Sequence, residues 1–260
     1  MITGKFRILW ENKFDPAILA ESTEAAGFPV ENLQHDWFLK HWRSTDLTAE
    51  TIDADLGVLE SAEDIRAFFV YSHNIRTTAD FHIQADNDAG YGSLAIDDDI
   101  PITADMIAYN IIGKFWTTAP YQYWRQLISD DDSGHPDGYI REGRVFLGDY
   151  FEPRYRPSVY PETVDIDPST VLLSLAGQKQ ANIITPYQRI KYRWAALPAD
   201  DIAILEIIFA TVGKNKPYFI CWDSGDPIKT THYVRNVSDW TYAPIGNDYY
   251  AVEIEVETER

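Results

Sequence analysis

Basic residues are scarce in this chain: 22 lysines and arginines stand against 41 aspartates and glutamates, a formal net charge of -19 over 260 residues. A field of that sign repels phosphate backbones, so nucleic acid is not expected as a partner; its ordinary consequence is solubility. Cysteine is nearly absent. The one example, Cys221, excludes an internal disulfide framework and a multi-cysteine zinc site. Between Ile220 and Trp222 it reads as a small buried hydrophobe rather than a nucleophile. Long apolar runs are missing as well. No stretch reaches the roughly 18 residues of a membrane span, and the opening MITGKFRILW lacks the apolar core of a secretion signal. Synthesis in a cytoplasm and no membrane insertion are the expectations. Motifs of known chemistry are also lacking: there is no G-x-S-x-G elbow, Walker A loop, G-x-G-x-x-G turn or H-E-x-x-H helix.

What the chain does have is apolar and aromatic material, 45% hydrophobic and 14% aromatic, enough for a real core. Strand-like patterns dominate. Phe81, Ile83 and Ala85 alternate with His82 and Gln84, the period-two signature of a half-buried strand. Ile65 to Tyr71, Tyr121 to Ile128 and Arg144 to Leu147 are further strands, rich in aromatic and β-branched residues. Turn-forming runs separate them: DNDAGYG at 86–92, DDDIP at 97–101 and DDDSGHPDG at 130–138. Short strands between such turns predict an antiparallel sandwich of the jelly-roll kind over residues 1–152.

The composition shifts after Tyr150. Pro153, Pro157, Pro161 and Pro168 stud a stretch of little periodicity, which predicts an extended connector over 153–170. Residues 171–260 predict a smaller, β-rich α+β domain. Ile190, Tyr192 and Trp194 alternate with Arg189, Lys191 and Arg193, giving a strand with one apolar and one basic face. Pro198 to Val212 predicts a helix, with Asp200 and Asp201 at its positive end and Gly213 as its stop. Ile202, Leu205, Ile208, Phe209 and Val212 keep helical spacing, and Ile204 with Ile207 widens the apolar surface, so the helix is expected to be largely buried. KPYFICWD reads as a central strand. The last strand sets Val252, Ile254 and Val256 against Glu253, Glu255 and Glu257, and the basic and acidic faces are expected to meet across a sheet.

Candidate chemistry is thin. The six histidines (His35, His41, His73, His82, His135 and His232) show no metal-ligand spacing, and a structural or surface role is expected for each. Asp86, Asn87 and Asp88 precede a glycine, and Asp130, Asp131 and Asp132 form a second acidic turn. Oxygen-rich turns can hold calcium, but neither has a twelve-residue loop with a closing glutamate, and Asp, Asn and Gly favour turns for conformational reasons alone. A solvated turn is the expectation, with calcium at Asp86 and Asp88 as the alternative and no other cofactor or metal. Glycoside cleavage needs only two carboxylates, yet among 41 acidic residues no pair stands out, so the chain is not expected to be an enzyme. Exposed loop aromatics of a sandwich can stack on sugars; Trp37, Trp42, Tyr91, Trp116, Tyr121 and Trp124 are the candidates. Trp42 and Trp124 have strand context and are expected in the core. Tyr91, between Gly90 and Gly92, is expected to be the most exposed and is the candidate glycan contact.

The runs GFPVENL (27–33), WRS (42–44), IDADLG (52–57), HN (73–74) and YWR (123–125) together resemble the discoidin-like, galactose-binding-like jelly roll. The tail DGYIREGRVFLGDYFEP (137–153) resembles versions of that module in minor tail or baseplate proteins of tailed phages and prophages, where a segment of the form G-R-x-F-L-G, here Gly143 to Gly148, closes the module. The C-terminal part, with its PYFICWD strand, is similar to compact domains of distal-tail-like proteins. The resemblance covers most of the chain through short structural motifs. It implies a virion structural protein, oligomeric in the particle, docking with other tail or baseplate proteins and presenting a face for a host-surface glycan. It implies no catalytic residue. A carbohydrate-binding host adhesin is the alternative function, and a glycan-cleaving enzyme the last.

Overall fold

The computed structural model describes residues 4–57, 65–117, 119–130, 134–158, 160–173 and 179–259, and the side chains of all of these except Leu173 and Gln180. They fall into two units: Glu11–Tyr150 with Asp226–Lys229, and Phe151–Gly225 with Thr230–Arg260 and the opening segment Met1–Trp10. Both are mainly β. Among the described residues every strand pairing is antiparallel.

The opening segment joins the C-terminal unit through β1 (Arg7–Leu9), which is buried on both neighbouring positions Ile8 and Leu9. This differs from the expected 1–152 body. Phe6 and Ile8 are apolar side chains two residues apart on one strand face, and both sit in the core of the C-terminal unit.

The N-terminal unit is a β-sandwich, as its alternating strands predict. One sheet runs β2 (Ile18–Glu21), β4, β9, β6, β7 and the other β3 (Trp42–Arg43), β10, β5, β8. The remaining ranges are β4 (Glu50–Asp55), β5 (Ala67–His73), β6 (Asp80–Asp86), β7 (Ile96–Asp99), a short helix α1 (Ala104–Tyr109), β8 (Ile111–Phe115), β9 (Tyr123–Ser129) and β10 (Arg141–Gly148). Ile52, Ala54, Phe81, Ile83, Ala85, Trp124 and Ile128 of the first sheet face Trp42, Phe68, Val70, Ile112, Val145 and Leu147 of the second. Burying each large side chain contributes about 1.5–3 kcal/mol. The segment Gly143 to Gly148 makes up β10 from its third residue to its end. A Cβ on Gly143 would lie 2.6 Å from the Phe38 carbonyl oxygen, and one on Gly148 2.4 Å from that of Glu11. The two glycines let neighbouring backbone close over the strand.

The C-terminal unit contains β11 (Glu162–Ile166), β12 (Thr170–Leu173), β13 (Lys179–Asn182), β14 (Tyr187–Pro198), α2 (Ala199–Val212), β15 (Tyr218–Cys221), β16 (Thr231–Asn236), β17 (Thr241–Gly246) and β18 (Tyr249–Thr258). Its main sheet is ordered β1-β15-β16-β18-β14-β11, with β17 paired to β18 as well, and β12 with β13 forms a separate hairpin. The proline stretch is not wholly a connector, since β11 lies inside it and pairs Glu162 to Ile166 with Lys191 to Tyr187. None of the four prolines falls within 162–166, so those amides remain free to enter the ladder. Helix α2 buries Ile202, Leu205, Ile208 and Val212, but Ile204 and Ile207 are 38% and 56% exposed, so it is covered on one face only. Buried Asp201 of its first turn accepts a hydrogen bond from the Arg154 amide at 2.8 Å. Cys221 is buried on β15, and burial pushes its thiol above the ordinary range.

Candidate functional site

Strand alternation that fills the sandwich core also decorates its outer surface. On the five-stranded sheet, Asp53 and Asp55 of β4, Arg125 of β9 and His82 and Gln84 of β6 point away from the core. Register sets Asp53 directly opposite Arg125. Arg125 Nε donates to Asp53 Oδ1 at 2.5 Å and its Nη2 donates to Oδ2 at 3.2 Å, a forked pair of charge-assisted bonds. The side chains are 27% and 30% exposed, so the pair faces solvent while being held in place.

Tyr91 completes this group. It sits in the turn between β6 and β7 at φ 51°, and its ring lies 4.0 Å from the guanidinium carbon of Arg125. Burial, followed by the Asp53 carboxylate that its hydroxyl bonds, pushes the phenol well above its ordinary range. The Asp53 hydrogen bond is the first cause that keeps the Arg125 guanidinium firmly protonated. Beside them Asp55 Oδ1 accepts from Gln122 Nε2 and from the Gly57 amide, each at 2.8 Å.

The acidic turn shapes this arrangement. Asp86 is buried, its Oδ1 accepting from the amides of Asn87 (2.7 Å) and Asp88 (3.3 Å) and its Oδ2 from that of Ser93 (3.2 Å). Asp88 Oδ1 accepts from the Gly90 amide at 3.0 Å, and its carbonyl accepts from the Tyr91 amide at 3.0 Å. Both aspartates thus engage the backbone of the loop that turns Tyr91 onto Arg125. In the second acidic turn, Asp130 is buried and accepts from Arg76 Nη2 at 2.7 Å and Nε at 3.1 Å. Asp131 and Asp132 lie outside the described residues.

The aromatic candidates separate clearly. Trp42 and Trp124 are core residues, as their strand context predicts. Trp116 packs against Trp124 with ring centres 5.4 Å apart and donates its Nε1 hydrogen to Asp98, and Tyr121 is half-buried. Tyr91 is half-buried rather than the most exposed, because its ring folds back on Arg125; Trp37, at 54%, is the open one.

Two further groupings were not legible in the sequence. Arg43 lies 3.6 Å over the Tyr139 ring and 5.1 Å from that of Phe28, on which His41 stacks at 4.8 Å. On β6 and β7, His82 lies between two carboxylates, with Nδ1 3.0 Å from Asp97 Oδ1 and Nε2 3.0 Å from Asp80 Oδ1, and register places Asp99 directly across from it. The signal for the Arg125 group is present in the chain, in the outward alternate positions of IDADLG and YWR. The pairing that joins them needs a register between strands about seventy residues apart.

No protein-family model matches this chain, and no curated protein matches it. Solved structures of similar fold include the lectin domain of lectinolysin complexed with Lewis B antigen, at 12% identity and a TM-score of 0.42, covering 53% of this chain and 95% of that one. Another is chitosan-binding module 1 of a chitosanase/glucanase from Paenibacillus sp. IK-5, at 15% identity and a TM-score of 0.42, covering 54% and 99%. A third is the Streptococcus pneumoniae fucose-binding module SpX-3, at 12% identity and a TM-score of 0.40, again covering 54% and 99%.

Proposed function

We propose that this protein binds a glycan without transforming it, and that the solvent-facing Tyr91–Arg125–Asp53 group on the outer sheet of the N-terminal sandwich is the contact surface. The observation that carries this reading is the forked Asp53–Arg125 pair with an aromatic ring stacked on it. A sugar hydroxyl is at once donor and acceptor. A planar guanidinium and a carboxylate side by side offer both complements, and vicinal hydroxyls match their spacing. Gln122, held by Asp55, adds an amide at the rim. Because Arg125 is already fixed by Asp53 and Tyr91, little side-chain entropy is lost on binding. A shallow site of a few charge-assisted bonds fits affinities from millimolar to micromolar, about -4 to -8 kcal/mol. Glycan-array binding followed by calorimetry tests this. Tyr91→Ala and Asp53→Asn should each weaken the best glycan about tenfold or more, each such bond being worth about 1.5–3 kcal/mol. Affinity unchanged in both variants would reject the site, and no bound glycan on a broad array would reject the function.

A second role is compatible with the first: structural assembly into a tail tip or baseplate, beside other tail proteins and in more than one copy. It is favoured by the β12–β13 hairpin of the C-terminal unit. A two-stranded hairpin is marginal alone in water, and this one exposes Val171 and Leu172 at 64% each, followed by Ile183 at 83%. Uncovered edges and aliphatic side chains of that kind suit a partner protein. In this role the protein belongs to the virion.

A further inference from the structure

Outside the Tyr91 group, one convergent set of donor atoms has no part in glycan recognition. Asp80 and His82 are two residues apart on β6, so both project from the outer face of the sheet, and Asp99 of β7 lies across the ladder from His82. One donor atom from each of Asp80, His82 and Asp99 falls within 4.8 Å of the others. No lysine or arginine among the described residues forms an ion pair with Asp80, Asp97 or Asp99. Three carboxylates therefore gather round one imidazole, with no lysine or arginine paired to them.

The imidazole is also oriented. His82 Nδ1 lies 3.0 Å from Asp97 Oδ1, and Asp97 Oδ1 additionally accepts from Gln84 Nε2 at 3.2 Å. Nε2 lies on the Asp80 side, 3.0 Å from Oδ1. Both ring nitrogens thus face carboxylate oxygens, and a metal ion at Nε2 would take the place of the hydrogen shared with Asp80 while Asp97 keeps the ring oriented through Nδ1.

We propose that Asp80, His82 and Asp99 form a site for a zinc-like divalent transition-metal ion, with His82 Nε2 and one oxygen from each aspartate as ligands, Asp97 holding the imidazole, and water completing the coordination. One nitrogen and two carboxylate oxygens suit a tetrahedral late first-row ion. They do not suit calcium, which takes about 6–8 oxygen ligands. Bonds of about 2.0–2.2 Å require ligand atoms about 3.4 Å apart. The exposed Asp80 and Asp99 side chains can close that gap by rotation, without moving the strands. The site is independent of the glycan reading and shares no residue with it.

Calorimetry of the full chain with zinc chloride in chelator-stripped buffer tests the proposal. One zinc per chain is expected, and calcium at the same concentration should neither bind there nor displace zinc. His82→Ala should abolish saturable binding. Asp99→Asn, an isosteric change at an exposed side chain, should weaken it strongly, and Asp97→Asn should weaken it about 10–100-fold through loss of imidazole positioning. All three variants should melt as the parent does in chelator, which separates lost ligation from lost fold. Absence of saturable zinc binding would overturn the proposal, as would full affinity in His82→Ala or in Asp99→Asn.

Discussion

At the scale of single residues, the sandwich core holds a carboxyl group that apolar packing does not explain. Glu142 on β10 is fully buried, and desolvation raises its pKa to about 8. Gln126 of β9 donates its amide hydrogens to both carboxyl oxygens at 3.1 Å. The folded protein therefore carries Glu142 protonated at neutral pH, whereas the unfolded chain releases that proton at about pH 4.3. Stability from this group is complete below the unfolded value and is lost as pH rises through about 8. His73, opposite Glu142 in the β5–β10 register, acts in the other direction. Burial lowers its pKa to about 4, so its contribution is complete above the unfolded value and is lost as pH falls. Above about pH 6.5, the unfolded histidine value, Glu142 acts without His73. From pH 6.5 to 8.5 the parent should lose more thermal stability than Glu142→Gln, the two diverging at about 1.4 kcal/mol per unit of pKa difference expressed, while the raised pKa of His82 acts equally in both. Parallel melting curves across that range would show that Glu142 is ionised in the folded state.

At the scale of elements, the ladder between β14 and β18 shows how charge can decorate a sheet whose other face is core. Arg189, Lys191 and Arg193 stand opposite Glu257, Glu255 and Glu253 in register. Lys191 Nζ lies 3.1 Å from Glu253, and Arg193 reaches both Glu253 at 2.8 Å and Glu162 of β11 at 2.6 Å. These pairs are largely exposed, so solvent and salt screen them and each contributes little on its own. Replacing Arg189, Lys191 and Arg193 together by glutamate substitutes like charges for opposite ones and should lower the melting temperature; an unchanged value would show that the ladder is decorative. This ladder was readable in the chain, because period-two alternation states which residues share a face and the acidic and basic strands are complementary. Three other features were not. Strand β11 was hidden by flanking prolines, which suggested a connector although no proline enters the paired residues. Ile204 and Ile207 extend the apolar surface of α2 without being covered, since helical spacing counts apolar residues and not the neighbours available to bury them. The Asp80–His82–Asp99 grouping depends on the β6–β7 register, which no spacing along the chain reports.

At the scale of the whole molecule, a chain of charge -19 has a surface on which close approach of two copies is opposed. Residues 170–185 depart from that composition, with Lys179 their one charged residue. If the proposed assembly role is right, this stretch is where contact forms, because an interface core is depleted in charge. Sedimentation of the full chain should show concentration-dependent self-association that Leu172→Asp with Ile183→Asp removes, leaving the fold intact since both side chains are exposed. A parent that stays monomeric and fails to co-purify with the products of neighbouring reading frames would count against assembly. The sandwich architecture was legible from alternating strands and intervening turns. The candidate site was legible only in part: Tyr91 stands out by its flanking glycines, whereas Arg125 and Asp53 emerge once two distant strands are in register.

The central claim is that a glycan is held on the outer sheet by Tyr91, Arg125 and Asp53. The most direct measurement is an NMR titration of the full chain with the tightest array ligand, following backbone amides and the Arg125 side-chain Nε–H. Saturable shifts confined to β4, β9 and the 86–93 turn are expected, with Arg125 Nε–H among the largest. Shifts centred instead on Phe28, His41, Arg43 and Tyr139, with the Arg125 resonance unmoved, would contradict it.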